Sequence, residues 1–520
     1  MNEQAVISHS KTEKNLYIDG AGVNRLRVRR LGIDTYQEAV VYMREDCRIC
    51  RSEGFEAQSR ILVVHQSGSI VATLNVLKND LLPHGDIGLS EAAWSLLEAA
   101  DGDLVELEHP RPLESLARVR AKVYGEHLDA NAYRLIVDDI AARRYSDIDL
   151  SAFIVASAGG RMAMDEIISL TKAMIETGER LSWDGGPIMD KHCVGGLPGN
   201  RTTLIVVPIV AAMGLTMPKT SSRAITSPAG TADTMETLAP VNLGLSEMRK
   251  VVGREGGCIV WGGSVRLSPA DDVLIRVERS LDIDSEGQMV ASVLSKKVAA
   301  GSTDVIIDIP VGETAKVRSF QAAGALSKLL STVGSSVGLH IQATISDRSQ
   351  PVGRGIGPAL EARDVLAVLR NGPGAPEDLR ERALILSGQL LEMSNTVVPG
   401  QGRRTAERVL SDGRAWKKFY SICEAQGGFR EPPSAKYTHV VTAVGKGVVT
   451  AIDNRKLARA AKLTGAPKAK AAGLDLHVPV GTAVEAKQPL FTLHGETAGE
   501  LEYALRYAED GDGIVRIEEV

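Results

Sequence analysis

Apolar positions change their period along this chain. Leu26-Arg-Val-Arg-Arg alternates, Arg60-Ile-Leu-Val-Val is a short apolar run, and Ser69-Ile-Val-Ala-Thr-Leu-Asn-Val follows a turn. Period two and short unbroken runs predict strands. Gly85-Asp-Ile-Gly-Leu-Ser is expected to open a short helix, and Asp103-Leu-Val-Glu-Leu-Glu to close the segment as a strand. A β-rich, barrel-like N-terminal module over 1–108 is the expectation. His109-Pro-Arg-Pro then reads as a linker, because its prolines fix φ and remove donors.

From 112 to 178 the period becomes helical. Ile167, Leu170 and Met174 recur at helical spacing, which marks core packing, and Gly178 is expected to stop that helix. From about 185, strands and helices alternate. Asp304-Val-Ile-Ile-Asp-Ile and Leu339-His-Ile-Gln-Ala-Thr-Ile read as strands; Phe320 to Val333 and Ala359 to Arg370 read as helices. Such alternation predicts a mainly parallel sheet. After Gly427-Gly-Phe-Arg-Glu-Pro-Pro, the segments His439–Ile452 and Leu476–Leu493 are strand-rich, and Ala498–Asp510 is a helix.

Length sharpens this picture. At about 150 residues per domain, 520 residues make three or four domains. A hydrophobic content of 44% and a charged content of 24% exclude disorder for most of the chain. The formal net charge of −5 gives no general footprint for nucleic acid or an anionic membrane, so an anionic ligand needs a local basic site. The five cysteines, Cys47, Cys50, Cys193, Cys258 and Cys423, read as reduced and intracellular. Cys47 and Cys50 form one C-x-x-C with no second pair; two buried thiols on a helix is the bland reading, zinc or redox use the other. Residues 1–15 are polar, with no signal-peptide core. The longest apolar run, Leu204–Leu215, contains Pro208 and is too short to span a bilayer, so a soluble, cytoplasmic protein is expected.

Candidate chemistry lies in three segments. The first is Asp190-Lys191-His192-Cys193-Val194-Gly195-Gly196-Leu197-Pro198-Gly199-Asn200-Arg201-Thr202-Thr203, before the apolar run. Glycines let backbone N–H groups approach an oxyanion, and a following helix adds positive potential. This is the grammar of a phosphate cradle without the G-K-[ST] ending of a Walker A loop; the alternative is a simple strand-to-helix turn. The second, Lys219 to Asp233, gathers hydroxyls, Arg223 and a Gly-Thr turn, and reads as a second oxyanion loop or as a solvated Ser-rich loop. The third contains Ser292 and Lys296, four apart on one helical face and away from Val290, Val293 and Leu294. Such a stripe flanks a ligand or is merely exposed. Gly334-Ser-Ser-Val-Gly338 fits G-x-S-x-G, but a helix precedes and a strand follows, the reverse of a nucleophile elbow. No histidine spacing suggests a metal site.

The order and spacing of K-H-x-x-G-G, S-x-R-A-x-T-x-P-A-G-T-A-D and S-x-x-S-K-K resemble the thymidine/pyrimidine-nucleoside phosphorylase family from about residue 85 to the C-terminus. The long N-terminal module and the Ser-Arg-Ala-Ile-Thr-Ser wording are similar to the subfamily of bacterial thymidine phosphorylase-like proteins and archaeal AMP phosphorylases. The resemblance implies an α/β fold with a helical lobe (109–178 and 265–300) and a mixed or parallel-sheet α/β phosphate-binding lobe (185–262 and 303–428). A β-rich N-terminal module and an α+β C-terminal domain (432–520) that is structural in the family complete it. Carried over by position, Lys191, Ser221 and Thr231 would hold phosphate with help from Thr203. Cys193 stands where these enzymes usually place a serine, and a thiol is the weaker donor; it is expected to be a tolerated replacement rather than a nucleophile, in a cationic loop that would favour its thiolate. His192 would face sugar or base, and Ser292 and Lys296 the base. Val277 occupies the position of the family's base-reading arginine, with Arg276 and Arg279 beside it.

By resemblance to AMP phosphorylase, Gly196, the run Ser222, Arg223, Ala224, Ile225, Thr226 and Ser227, together with Thr231, Ser292 and Lys316, would bind nucleotide, and Asp284 would be the proton donor. The rival role for Asp284 is a helix cap. The implied reaction is phosphorolysis: thymidine and phosphate give thymine and 2-deoxy-α-D-ribose 1-phosphate, with inorganic phosphate as co-substrate, no cofactor and no metal. The alternatives are an AMP phosphorylase releasing free base and ribose 1,5-bisphosphate, and a non-catalytic nucleotide-binding protein. The implied partners are a small nucleoside or nucleotide and phosphate, without nucleic acid or membrane, in a homodimer or larger homo-oligomer.

Overall fold

Strands β1 (Arg25–Arg30), β2 (Val40–Arg44), β3 (Arg60–His65), β4 (Gly68–Leu77), β5 (Asp86–Leu89) and β6 (Leu104–Glu108) close into a barrel in the order β1-β5-β2-β4-β3-β6. The computed structural model describes residues 25–518 apart from 225–226, 266, 284, 348–349 and 511–512. It forms two compact units: Met1–Leu113 with Arg143–Asp147, and Glu114–Ala142 with Ile148–Val520.

The barrel follows its alternation. Leu26 and Val28 point inward with Val41, Met43, Ile61, Val63, Ile87, Leu89, Val105 and Leu107, while arginines line the outer side of β1. Closure leaves no free edge. The segment after Gly85 departs from expectation. It is β5, paired with β1 and β2, because Ile87 and Leu89 fill the interior. The helix begins only after Ser90, whose hydroxyl accepts from the Ala93 N–H. Two short helices, α1 (Arg48–Glu53) and α2 (Glu91–Leu97), complete this unit. Cys50 is buried beside Met43, but Cys47 is only half-buried at the start of α1, so the reading of two buried thiols holds for Cys50 alone.

The second unit opens with α3 (Ser115–Val123), α4 (Ala130–Ala141), α5 (Asp147–Ser157) and α6 (Met164–Glu176). Its internal hub is Glu166, 2% exposed. The Lys122 ammonium donates to its carboxylate at 2.6 Å, as do the Leu128 and Ala163 N–H groups at 2.9 Å and the Tyr133 hydroxyl at 3.2 Å. A buried carboxylate survives only when its lone pairs are satisfied.

The chain then builds β7 (Met189–Cys193), α7 (Thr203–Ala212), β8 (Met217–Ser221), α8 (Thr231–Glu236), α9 (Leu245–Glu255) and β9 (Gly257–Trp261). Helices α10 (Pro269–Leu281) and α11 (Glu286–Ala299) pack back onto α4 and α6, before β10 (Asp304–Val311), α12 (Phe320–Ser336) and β11 (His340–Asp347). Helix α6 ends at Glu176 with Thr177 as its cap, just before Gly178 as expected, and a loop comes close there as well: a Cβ at Gly178 would lie 2.0 Å from the Leu267 carbonyl. The parallel strands run β11-β10-β7 and β8-β9, and one bridge, Ile188 to Thr216, joins the two groups. The chain thus moves outward from β7 on one side and returns on the other through β10. Such a reversal leaves a crevice at the carboxyl ends of β7 and β10.

Beyond β11, strand β12 (Gly355–Ile356) precedes α13 (Pro358–Leu369), α14 (Glu377–Met393), α15 (Gly402–Ser411) and α16 (Arg414–Ala425). The C-terminal domain contains β13 (Tyr437–Thr442), β14 (Gly447–Ile452), α17 (Asn454–Leu463), β15 (Gly473–Leu476), β16 (Ala483–Val484), β17 (Pro489–Gly495), α18 (Ala498–Asp510) and β18 (Val515–Glu518). Its sheets are β12-β15-β17-β13 and β16-β14-β18, so it borrows β12 as an edge strand.

Replacing Glu166 tests the helical hub. Glu166→Ala strands the Lys122 ammonium and two N–H groups in the interior. Urea unfolding should show a loss of about 3–5 kcal/mol, the usual result of breaking a buried pair from one side.

Candidate functional site

Lys191 lies inside β7 and is 1% exposed. Its ammonium donates to the Thr202 hydroxyl at 2.7 Å and stands 3.9 Å from Asp308 on β10. Burial lowers its pKa, against the opposing pull of Cys193 and Asp308. Asp308 is itself forked by Arg382 from α14, at 2.5 and 3.2 Å. Asn200 donates to Cys193 Sγ at 3.3 Å, and Thr202 to the Asn200 side-chain oxygen at 3.3 Å. The Cys193 thiol is pushed up to about 11, by burial first and by Asp308 second, so it is a neutral thiol at pH 7 in spite of the cations around it.

The loop after β7 is shaped by close approaches. Gly196 has φ +92, and a Cβ there would lie 2.3 Å from the Lys316 backbone nitrogen; Gly199 has φ +74, and a Cβ would lie 2.3 Å from the Val352 carbonyl. No other residue fits these positions without strain. Gly196 and Lys316, both implied by the same resemblance, meet where the loops after β7 and β10 touch.

Beyond the Ile188–Thr216 bridge, β7 and β8 belong to separate sheets, and the Lys219 ammonium enters between them. It donates to the Lys191 carbonyl at 2.7 Å and to the Asp190 carboxylate at 2.9 Å. Lys297 from α11 reaches the other Asp190 oxygen at 2.7 Å. Although burial opposes it, the pair of ammonium groups holds Asp190 far below the usual carboxylate range. Burial pushes Lys297 down to about 7. His192, half-buried, is kept neutral: burial and the charges of Lys297 and Lys219 hold its pKa well below 6.5.

Ser221 ends β8. Its hydroxyl is buried and has no hydrogen-bond partner among the described residues. In the following loop, Arg223 is engaged by protein groups. It forks Glu236 at 2.7 Å, reaches Asp233 at 3.2 Å and Asn242 at 3.2 Å, and lies 5.0 Å over the Trp261 ring. Asp233 accepts from the Ala224 and Gly230 N–H groups at 2.7 and 3.0 Å, which turns the loop into α8. Ser222 accepts the Ala232 N–H through its carbonyl, and Ser227 donates to the Ala229 carbonyl. Ile225 and Thr226 lie outside the described residues.

Arg201 ties the two loops together. It donates to the Ala229 carbonyl at 2.6 Å and to the Thr231 hydroxyl at 3.4 Å, and its third partner is the buried carboxylate of Glu361. On α11, Val290, Val293 and Leu294 are buried while Ser292 and Lys296 are partly exposed. Lys296 is fixed by Asp271 at 2.5 Å. Asp284 lies outside the described residues.

The structure thus gathers Lys191, His192, Cys193, Gly196, Ser221, Thr231 and Lys316 around the carboxyl ends of β7, β8 and β10. Thr202 supplies the hydroxyl on Lys191, and Thr203, the expected helper in holding phosphate, opens α7. Sequence reasoning also passed over Arg201, Lys219 and Lys297. Three charged or polar residues inside one short strand, Asp190-Lys191-His192, were the available signal: a strand core rarely carries them without partners on neighbouring elements. Among the described residues no group of three or more His, Cys, Asp or Glu side chains is placed to hold a metal ion.

Comparison with known proteins gives concordant matches. Residues 185–416 match the glycosyl transferase family a/b domain, 118–178 the glycosyl transferase family helical bundle domain, and 448–513 the pyrimidine nucleoside phosphorylase C-terminal domain. A Polaromonas protein named "Putative thymidine phosphorylase" is 62% identical over 93% of this chain and 95% of its own. A Legionella pneumophila (strain Corby) protein of the same name is 59% identical over 94% and 95%. Anthranilate phosphoribosyltransferase from Thermus thermophilus superposes with a TM-score of 0.48 at 17% identity, over 59% of this chain and 98% of that one.

Thiol chemistry offers a direct check on this electrostatic picture. The Cys50 thiol draws Cys47 down to about 6, whereas Cys193 stays at about 11. At pH 7 Cys47 is therefore above its pKa and ionised, and Cys193 below its own and neutral. Brief iodoacetamide treatment followed by peptide mass spectrometry should label Cys47 first and Cys193 far more slowly, with Cys193 labelling rising only as pH approaches 11.

Proposed function

The chain belongs to the pyrimidine-nucleoside phosphorylase family and is a pentosyltransferase, and on that footing we propose that it cleaves thymidine with inorganic phosphate, releasing thymine and 2-deoxy-α-D-ribose 1-phosphate. The observation that carries this reading is a pair of groups at the ends of neighbouring strands. One is the buried Lys191 ammonium on Thr202; the other is the buried Ser221 hydroxyl, which has no hydrogen-bond partner among the described residues.

In this reading Lys191, Thr202, Ser221 and Thr231 hold phosphate, with the Gly195-Gly196 backbone and the Cys193 thiol beside it. Phosphate is desolvated and aimed at the anomeric carbon, a positioning task. As the C–N bond breaks, the sugar gains positive character and the base negative charge. Neutral His192 faces the sugar or base as a hydrogen-bonding group, and Ser292 with Lys296 stabilises the departing base. Asp284, just before α11, donates the proton that lets the base leave. The reaction uses no cofactor and no covalent enzyme intermediate. A cytoplasmic homodimer or larger homo-oligomer completes the proposal; among the described residues no helix is long and apolar enough to cross a membrane.

A second reading is favoured by one contact. The Lys316 backbone is packed on Gly196, which sets an exposed lysine beside the phosphate loop where a 5′-phosphate would lie. The substrate would then be AMP, the product ribose 1,5-bisphosphate, and the run Ser222–Ser227 would line the nucleotide.

Lys191→Ala should reduce kcat/KM for phosphate by about a hundred-fold or more, the scale of losing a preorganised charge at a developing anion, with the fold intact by circular dichroism. Unchanged phosphate use would remove Lys191 from the site.

Turnover of thymidine and of AMP, each with phosphate, separates the two substrates. Thymidine cleavage with AMP ignored is the expected result. If AMP is used instead and Lys316→Ala impairs that use selectively, the nucleotide reading replaces the first. Asp284→Asn should slow either reaction; intact rates would make Asp284 only a helix cap.

A further inference from the structure

The loops after β7 and β10, and the residues that hold the loop after β8, each touch the C-terminal domain or a strand paired into it. The glycine-rich loop rests on residues 352–355: the Val352 N–H donates to the Pro198 carbonyl at 3.2 Å, and the Val352 carbonyl forbids any side chain at Gly199. That segment runs straight into β12, which pairs with β15 through Gly355–Asp475 and Ile356–Leu474. The second loop is held by Arg223 on Glu236, and the other cation on Glu236 is Lys470, at 2.8 Å. The loop after β10 contains Thr314, whose hydroxyl accepts from the Asn454 amide at 2.9 Å. Asn454 is 2% exposed, and Thr314 lies two residues before Lys316.

These contacts differ in strength and consequence. Glu236, pulled down to about 2 by Arg223 first and Lys470 among the rest, is ionised across the neutral range. With Lys470 removed, Arg223 alone must balance Glu236 and Asp233, and the loop that turns on Asp233 loses one of its restraints. Asn454 is nearly buried and fixed at the start of α17 behind Asp453, whose carboxylate accepts the Arg455 and Lys456 N–H groups. Its hydrogen bond therefore restrains the Thr314 loop from a rigid base.

We propose that the C-terminal domain is part of the substrate-binding apparatus rather than a structural tail, with Lys470 and Asn454 as positioning residues for the loops that carry Ser221–Thr231 and Lys316. The proposal rests on the phosphorolytic reading of the site and adds to it a division of labour. Lys470 acts on the side that takes phosphate, and Asn454 on the side that takes the nucleoside or nucleotide. Neither side chain touches substrate.

The test uses the full chain and begins with the wild-type enzyme. Absence of phosphorolysis with every nucleoside and nucleotide tried would defeat the functional reading itself; calorimetric titration with inorganic phosphate would then decide the Lys470 claim without turnover. With wild-type turnover in hand, Lys470→Met should raise the KM for phosphate about five-fold, a modest loss of preorganisation, with kcat and the KM for the second substrate nearly unchanged. Lys470→Arg should restore it. Asn454→Ala should do the converse, raising the KM for nucleoside or nucleotide and sparing that for phosphate. Should Asn454→Ala not fold, Thr314→Val removes the same hydrogen bond from its half-buried partner. Where both fold, the double variant should be no worse than either single one. Wild-type KM values in folded Lys470→Met and Thr314→Val would overturn the proposal, as would a uniform loss of activity that tracks only the amount of folded protein.

Discussion

One buried carboxylate organises the catalytic unit. Asp190 is fully buried in β7 and is shared by two ammonium groups, Lys219 at 2.9 Å and Lys297 at 2.7 Å. A lone carboxylate in that position would not stay ionised, and either lysine without it would be an unpaired buried charge. The three must come together or not at all. They arrive from β7, β8 and α11, so satisfying one charge sets the separation of two strands and brings the helix that carries Ser292 and Lys296 against the sheet.

The same constraint parts β7 from β8. A continuous ladder between β7 and β8 would have paired the Lys191 carbonyl with a backbone N–H. Here the Lys219 ammonium takes that role, the strands part after one bridge, and their carboxyl ends are freed to turn into loops. The surplus positive charge beside the opening is buried, where the local dielectric makes it felt more strongly than in water. In a chain of net charge −5, this is how a local site acquires a sign opposite to that of the whole molecule.

The loops themselves are held by backbone contact more than by side-chain choice. Gly196 and Gly199 are there because another backbone lies where their side chains would be. Arg201 spans from the first loop to Ala229 and Thr231 of the second, and its partner Glu361 stays buried on α13 even though burial raises its pKa. The site is consequently a joint property of several loops, and its geometry depends on segments as distant as β12 and α17.

Local signals were enough for much of this protein. Period-two alternation produced the barrel, and alternating strands and helices produced the parallel sheet. The motif order was sufficient to place the chain in its family, because hydrophobic period and glycine positions are properties of consecutive residues. The helix expected at Gly85 failed for a tertiary reason: four residues with Ile87 and Leu89 facing one way form a strand only because β1 and β2 flank them. That the Thr202 hydroxyl meets Lys191 was not legible locally either, since it depends on where α7 begins relative to β7. Cys193 was read as a tolerated replacement rather than a nucleophile, but whether the cations around it ionise the thiol was not legible locally; burial, with Asp308, raises its pKa. Burial and the convergence of charges from β7, β8 and α11 are set by packing between segments up to about a hundred residues apart, and no local pattern encodes the distance between them. Sequence alone determined which chemical groups the protein has to work with; the tertiary structure decided which of them are charged, which are paired and which are left to meet a ligand.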